Sequence, residues 1–167
     1  MKMPNTRRGD LGRPSFIRIR KSSLRLKTWD YFLPGPYFFT ICTFEREKIF
    51  NDQIIREKTI EVLKNIAKEL GIVIHGIIIA TNHLHGLITL SNDRKINLWQ
   101  QYIGKVKVKV TQTIIGWASP PLREHDRIWQ RSFYDHIIRN EKDFLEKAKY
   151  IEKHTFKEES DIYAEWH

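Results

Sequence analysis

The chain has 167 residues, of which 41% are hydrophobic, and this suits one domain with a buried core rather than a disordered chain. Lys and Arg number 29 against 20 Asp and Glu, and the formal net charge of +9 favours a polyanionic partner. The single cysteine, Cys42, excludes an intramolecular disulfide and fits a reducing cytoplasm, and the first 30 residues contain no apolar run long enough for a signal peptide or membrane span.

Residues 1–28 are predicted to form a basic arm. The segment is rich in Arg and Lys, including Arg18 and Arg20, and Pro and Gly interrupt it. It is either a phosphate-binding arm or a solvated tail. We place one domain at 29–157 and a C-terminal tail at 158–167.

The domain is predicted to begin after a turn at Pro34-Gly35-Pro36. Hydrophobic periodicity and capping residues then define seven elements. In order they are a strand over 37–44, a helix over 52–70, strands over 72–80 and 83–90, a helix over 98–116, a strand over 132–138 and a helix over 141–154. The first six follow the ferredoxin-like β-α-β-β-α-β order of an α+β fold with a central antiparallel sheet, and the seventh is an added C-terminal helix.

The segment 98–116 shows two periodicities. Residues 106–110 alternate between apolar and polar, as in a strand. Apolar residues also recur every fourth position, as on one face of a helix, and we predict a helix on that basis. These residues are Leu98, Tyr102, Val106, Val110 and Ile114.

His83 and His85 form the first candidate site. On a strand, residues i and i+2 point to the same face, so both imidazoles could reach one ion while Leu84 packs on the other face. A divalent cation held there would polarise a phosphate and offset developing charge. The alternative is a pair of strand histidines with local hydrogen bonds.

Tyr150 forms the second candidate site. It lies to one side of the apolar stripe of the last helix, and His154 follows it by four residues on the same face. A tyrosine hydroxyl one turn from a possible metal ligand is a plausible nucleophile for phosphoryl transfer. The alternative is an amphipathic surface tyrosine.

Other residues near these motifs are candidates for contacts with phosphates or unpaired bases. The predicted DNA-binding residues are Lys105, Lys109, Arg131, Arg139, Trp99, Arg18 and Arg20, with Lys107 and Arg127 as further phosphate contacts. We predict that His75 and His125 are structural or solvent-exposed. His136 is expected to pack against the site or support it.

Several segments, taken in order, resemble those of the REP-associated tyrosine transposases, single-tyrosine members of the HUH endonuclease superfamily. The resemblance runs from about Arg25 to Lys157. Its segments are Asp30-Tyr31, Pro34 to Thr43, Asn82-His83-Leu84-His85-Gly86, Trp129 to Glu141, and Tyr150-Ile151.

The resemblance implies a metal-dependent enzyme that cleaves and rejoins single-stranded or hairpin DNA, as a monomer or a homodimer. It assigns Tyr150 as the nucleophile that forms a 5′-phosphotyrosine, and His83 and His85 as ligands of Mg²⁺ or Mn²⁺. Tyr134 is the competing tyrosine, which we interpret as a core or DNA-contacting aromatic. The protein is expected to be cytoplasmic and nucleoid-associated, with no membrane partner.

Two positions depart from the pattern of that family. Ala80-Thr81 stands where the family has Met-Pro. His154 stands where the family has an Asn beside the metal, and the proline that usually follows is missing. We predict that His154 is the third ligand, that Mn²⁺ supports activity better than Mg²⁺, and that activity falls below about pH 6 because the ligands must be neutral.

Two other functions remain open from the sequence. One is a non-catalytic RNA- or DNA-binding module, because RNA-recognition folds share this element order and the aromatic strand over 37–44 could stack on bases. The other is a zinc hydrolase that uses His83, His85 and His154.

Overall fold

The computed structural model describes residues 29–91, 96–117, 127–155 and 161–163. The helices and strands are β1 (Gly35–Cys42), α1 (Gln53–Leu70), β2 (Val73–Ala80), β3 (His83–Leu90), α2 (Leu98–Trp117), β4 (Tyr134–Ile137), α3 (Glu141–Thr155) and β5 (Asp161–Tyr163). Two 3₁₀ turns, Phe44–Arg46 and Ile49–Asn51, connect β1 to α1. None of the helices in these ranges is long and apolar enough to cross a membrane.

The strands form one sheet in the order β4-β1-β3-β2-β5, and every neighbouring pair is antiparallel. The first four strands have the ferredoxin-like arrangement, so the predicted fold class is confirmed, as is the helix over 98–116. The fifth strand was not predicted. Three residues of the expected C-terminal tail, Asp161–Tyr163, pair with β2, so the sheet extends past the domain boundary placed at 157.

Local signals explain the ends of α1. The carboxylate of Asp52 accepts the backbone N–H groups of Ile54 and Ile55 at the first turn. Gly71 ends the helix in the left-handed conformation, with φ of 63°. The apolar stripe between these ends packs α1 on one face of the sheet.

The alternation of each strand divides the buried residues between two faces of the sheet. One face carries the larger apolar cluster, built with α1 and α2 around Phe39, Trp99 and Tyr102. The opposite face is covered by α3 and carries a smaller cluster. Its buried apolar members are Phe38, Ile78, Leu87, Ile138, Ala148 and Ile151. The histidine pair of β3 lies on this second face.

Candidate active site

Hydrogen bonds orient the two histidines of β3. Nδ1 of His83 lies 2.7 Å from the side-chain oxygen of Asn82, and Nδ1 of His85 lies 2.7 Å from the hydroxyl of Thr40. An amide oxygen can only accept, so Nδ1 of His83 donates and its Nε2 keeps a lone pair. A histidine oriented through one nitrogen in this way can offer the other to a metal ion.

His85 is uncharged at neutral pH. Its side chain is 5% exposed. The pKa of His85 is lowered to about 3, chiefly by burial and with smaller contributions from the positive charges of His83, His154 and Arg46. The neutral imidazole is the form that binds a cation or accepts a hydrogen bond.

The helix α3 packs closely against the sheet beside these histidines. Its first turn is capped by the Asn140 side chain, which accepts the backbone N–H of Asp143 at 2.9 Å. Ala148 and Ile151 face the sheet and are buried. A Cβ added to Gly76 of β2 would lie 3.1 Å from Cγ2 of Ile151, so the glycine permits the close approach of helix and sheet.

This packing brings Tyr150 to His85. The hydroxyl of Tyr150 lies 3.4 Å from Nε2 of His85, and the tyrosine side chain is 40% exposed. Its ring meets Phe38 edge-on, with the centroids 5.7 Å apart, while Phe38 stacks on His85 at 5.6 Å. Tyr150 therefore holds its hydroxyl at the histidine pair while part of the side chain remains open to solvent.

His154 lies one helical turn further, on the same side. Its ring centroid is 5.5 Å from that of His85 and 6.4 Å from that of His83. Its Nδ1 is buried and has no hydrogen-bond partner among the described residues. A buried ring nitrogen without a partner is costly unless something binds it.

The donor set of His83, His85 and His154 fits a divalent transition-metal ion by its chemistry, because each residue can offer a neutral imidazole nitrogen. The rings nevertheless do not converge as they stand. In the part of the chain that the structure describes, no group of three or more His, Cys, Asp or Glu side chains is arranged to hold a metal ion. The ligand set therefore remains a prediction.

Trp99 does not belong to this site. It is fully buried on the opposite face of the sheet, stacked on Tyr37 with the ring centroids 4.9 Å apart. The prediction that Trp99 stacks on DNA bases is therefore wrong. Its position on the apolar stripe of α2 explains the burial.

The predicted basic residues are spread over the molecule. Lys105 pairs with Glu69, and Lys109 lines a groove between α1 and α2, so both lie on the side of the sheet away from Tyr150. Arg131 and Arg139 are exposed near the two ends of β4. Arg18 and Arg20 lie outside the described residues.

Two further basic residues contact the protein itself. Lys107 donates to the backbone oxygen of Gln130 at 3.0 Å, and the Arg127 guanidinium lies 5.0 Å from the centroid of the Phe44 ring. Both side chains therefore have internal packing roles, and a phosphate contact would have to compete with them.

The remaining histidines have structural partners where they are described. Nε2 of His136 lies 2.9 Å from both carboxylate oxygens of Asp143, which ties β4 to the start of α3. His75 bonds to the hydroxyl of Thr89 at 2.7 Å. The expected supporting role of His136 matches this geometry, and His125 lies outside the described residues.

Tyr134, the competing tyrosine, is paired in the sheet with Thr40, so it shares the face of His85. It is 44% exposed, which removes the alternative that it is a core residue.

The aromatic strand cannot act as a stacking platform for bases. Its consecutive aromatics Tyr37, Phe38 and Phe39 are at most 4% exposed, because helices cover both faces of the sheet. The expectation of such a platform, on which the RNA-binding alternative depended, is wrong. A four-stranded sheet with one bare face would have been required.

Sequence reasoning missed several residues around the site. Thr40 and Phe38 orient or contact His85 from the neighbouring strand, and Arg46 acts on it electrostatically. The two-residue alternation of Phe38, Thr40 and Cys42 places them on one face, but only the β1–β3 register sets Thr40 opposite His85. The sequence alone does not give this register, so Thr40 could not be predicted as a neighbour of His85.

Comparisons with known proteins agree with one another. The model of the family described as "Transposase IS200 like" matches residues 36–154. An uncharacterized protein of Haemophilus influenzae is 30% identical over 165 residues, which cover 84% of this chain and 91% of that protein.

Two solved structures share the fold. One is a REP-associated tyrosine transposase bound to a REP hairpin, with a TM-score of 0.59 and 21% identity, covering 80% of this chain and 74% of that one. The other is a putative transposase from Deinococcus radiodurans, with a TM-score of 0.54 and 14% identity, covering 77% of this chain and 95% of that one.

Proposed function

The chain belongs to the IS200-like transposase family, and from that premise we propose that it cleaves and rejoins DNA strands with Tyr150 as the nucleophile. One observation carries the assignment, namely the 3.4 Å distance between the hydroxyl of Tyr150 and Nε2 of His85. Tyr150 is also 40% exposed, which suits a nucleophile that must meet a DNA strand.

In this reaction the phenolic oxygen of Tyr150 attacks a backbone phosphorus. The new O–P bond forms as the bond from phosphorus to the 3′-oxygen breaks, and the proton lost by the tyrosine is balanced by one gained at the 3′-oxygen. The products are a 5′-phosphotyrosine and a free 3′-hydroxyl. Attack by a 3′-hydroxyl on the phosphotyrosine reverses the step, so rejoining needs no other energy source.

The side chains of the site prepare the nucleophile. Without a bound cation, and if Nδ1 of His85 donates to Thr40, Nε2 accepts from Tyr150 and directs the hydroxyl; a cation on Nε2 would take over this lone pair and replace the hydrogen bond. The ring of Phe38 stacks on His85 and meets Tyr150 edge-on, so it contacts both side chains. His83, His85 and His154 would hold a divalent cation, which when bound would polarise the phosphate and offset its developing charge.

We propose single-stranded or hairpin DNA as the substrate. A solved structure of similar fold holds a REP hairpin, and the +9 charge of this chain favours a polyanion. Binding should therefore weaken steeply as salt rises, since neutralised phosphates release counterions. Equal affinity for a duplex and for a hairpin with a single-stranded flank would contradict this substrate.

The decisive experiment combines a Tyr150→Phe variant with end-labelled DNA. Wild-type protein incubated with Mn²⁺ or Mg²⁺ and hairpin DNA from the flanks of its own gene should give a covalent adduct on a denaturing gel. Only a label at the 3′ end of the DNA should travel with the protein, because the tyrosine is joined to the 5′-phosphate of the fragment downstream of the cleaved linkage. Tyr150→Phe should bind DNA normally and give no adduct.

The matched control is Tyr134→Phe, which removes the other tyrosine hydroxyl on the same face of the sheet. It should form the adduct at close to the wild-type rate. An adduct from Tyr150→Phe, or its loss in Tyr134→Phe alone, would show that the nucleophile is misassigned.

The identity of the third ligand sets a metal preference. An imidazole nitrogen at His154 favours Mn²⁺ over Mg²⁺, whereas an amide oxygen favours the harder ion. His154→Asn should therefore raise the ratio of Mg²⁺-supported to Mn²⁺-supported adduct formation. His154→Ala should weaken Mn²⁺ binding measured by calorimetry, and unchanged affinity would exclude His154 as a ligand.

A further inference from the structure

A strained turn presents Arg46 beside the site. Glu45 and Arg46 both take left-handed backbone conformations, with φ of 50° and 61°, although neither is glycine. The turn is fixed by Thr43, whose backbone N–H donates to the carbonyl of Asn82 at 2.9 Å. Its hydroxyl lies 2.7 Å from the carbonyl of Glu47. Asn82, whose carbonyl accepts this hydrogen bond, directly precedes His83.

The charge of Arg46 has no counter-ion in the described residues. Its side chain is exposed and takes part in no ion pair or side-chain hydrogen bond there. It is nevertheless close enough to act on His85 and Cys42: its positive charge helps to lower the pKa of His85, and it opposes the burial that raises the pKa of Cys42. An exposed guanidinium without a salt bridge among the described residues can offer its hydrogen bonds to an anion such as a phosphate.

A second cation lies on the other side of Tyr150. Lys147 precedes Tyr150 by three residues on α3, so the two side chains share a face. Its ammonium lies 5.4 Å from the centroid of the Phe38 ring, and it forms no salt bridge with the described residues, although its charge helps to lower the pKa of Asp143 one turn earlier on α3. Phe38 is also the ring that contacts both His85 and Tyr150.

The strand β1 relates the two cations. Lys147 lies over Phe38, Tyr150 and His85 lie by Thr40, and Arg46 follows the end of the strand at Cys42. Phe38 and Cys42 are four residues apart, or about 13 Å along a strand at about 3.3 Å per residue. Along β1, Lys147 thus lies at the Phe38 end of the site and Arg46 follows the Cys42 end, while the Tyr150 hydroxyl lies at His85, the partner of Thr40 in the sheet.

We propose that Arg46 and Lys147 bind the two phosphates that flank the scissile phosphate, one on each side. The proposal rests on the assignment of Tyr150 as the nucleophile and adds the path of the strand, which follows β1. Arg46 suits this role because its planar fork can bind a phosphate through two hydrogen bonds. Two such contacts would fix the strand so that only one linkage meets Tyr150.

The test measures binding rather than cleavage. The protein carries Tyr150→Phe, a chelator is present, and the probe is a hairpin oligonucleotide with a single-stranded flank from the gene's own surroundings. One backbone linkage at a time is replaced by an uncharged methylphosphonate. With no other substitution in the protein, affinity should fall about tenfold, or about 1.4 kcal/mol, when either linkage next to the cleaved one is neutral.

Each cation should account for one position. Arg46→Ala should weaken DNA binding about tenfold, and the affinity of this variant should no longer change when the linkage on one side of the cleaved one is neutral. Lys147→Met should have the same two effects for the linkage on the other side. Each variant should also lower the slope of log K against log salt by about 0.7. Alanine at position 46 has the same left-handed backbone cost as arginine, and methionine at 147 keeps the contact with Phe38, so folding should be preserved.

Lys48→Ala and Lys149→Ala are the matched controls, since both residues are exposed lysines next to the proposed ones. They should keep the full sensitivity to both neutral linkages. Variants at 46 and 147 that still respond to every linkage would overturn the proposal, while wild-type adduct formation would leave the proposed function intact. Absence of both DNA binding and adduct would overturn the two together.

Discussion

The two faces of the sheet differ in the residues that they bury. The face under α1 and α2 holds the larger apolar cluster, with Trp99, Tyr102 and Phe39 fully buried. The smaller cluster under α3 has six buried apolar residues among those described, and polar side chains lie on the same face. His85, Thr40 and Tyr150 lie there. The sheet thus separates the main apolar core from the candidate active site.

The polar residues of the candidate site lower the stability of the fold. A neutral buried His85 and an unpartnered nitrogen of His154 each lower stability, and they are tolerated because the opposite face supplies most of the apolar burial. Substitutions on the two faces should therefore separate global stability from activity.

The largest expected effect is on the α1–α2 face. Trp99→Ala removes a fully buried indole and should lower the free energy of unfolding by about 3–5 kcal/mol. Urea denaturation measures the loss. Val108→Ala on the same helix, where the side chain is 55% exposed, should change it by less than about 0.5 kcal/mol. A small effect of Trp99→Ala would show that this face does not dominate stability.

Two glycine substitutions, one on each face, should affect activity and stability separately. Gly76→Ala would place a Cβ 3.1 Å from Ile151, which pushes α3 away from the sheet by a few tenths of an ångström. Because Tyr150 is adjacent to Ile151, the rate of adduct formation should fall several-fold while the urea midpoint changes little. Unchanged kinetics would mean that α3 absorbs the shift without moving the hydroxyl.

Gly104→Ala is the counterpart on the other face. A Cβ at Gly104, within α2, meets no atom within 4 Å, and the backbone is helical. The substitution should raise the free energy of unfolding by about 0.5–1 kcal/mol, because alanine loses less backbone entropy in a helix. Adduct formation should be unaffected, and a lower rate would show that the faces are coupled.

The smallest expected effect concerns the start of α3. Burial alone would raise the pKa of Asp143, but hydrogen bonds from His136 and the N–H of Arg139, with the charges of His136 and Lys147, lower it below its ordinary value. A lowered carboxyl pKa adds stability above the unfolded pKa and loses it as the pH falls through the folded one. Asp143→Asn should thus lower the free energy of unfolding slightly at neutral pH, and the difference from wild type should shrink as acid protonates the carboxylate. A difference that persists in acid would rule out the carboxylate charge as its cause.

Local sequence patterns were sufficient for most of the fold and for pairing the candidate residues within each element. The two-residue period of a strand puts His83 and His85 on one face, and the i, i+4 spacing of a helix puts Tyr150 with His154. Both relations depend on geometry within a few residues. The same holds for the ends of α1 at Asp52 and Gly71.

Only the tertiary structure decided how these pieces meet. Tyr150 reaches His85 across 65 residues of chain, through the packing of Ile151 on Gly76, and no local period specifies that contact. The assignment of Trp99 to DNA failed for the same reason, because an aromatic residue is equally suited to a base and to a core. The pairing of Asp161–Tyr163 with β2 likewise depends on a free sheet edge, which the tail's own sequence does not reveal.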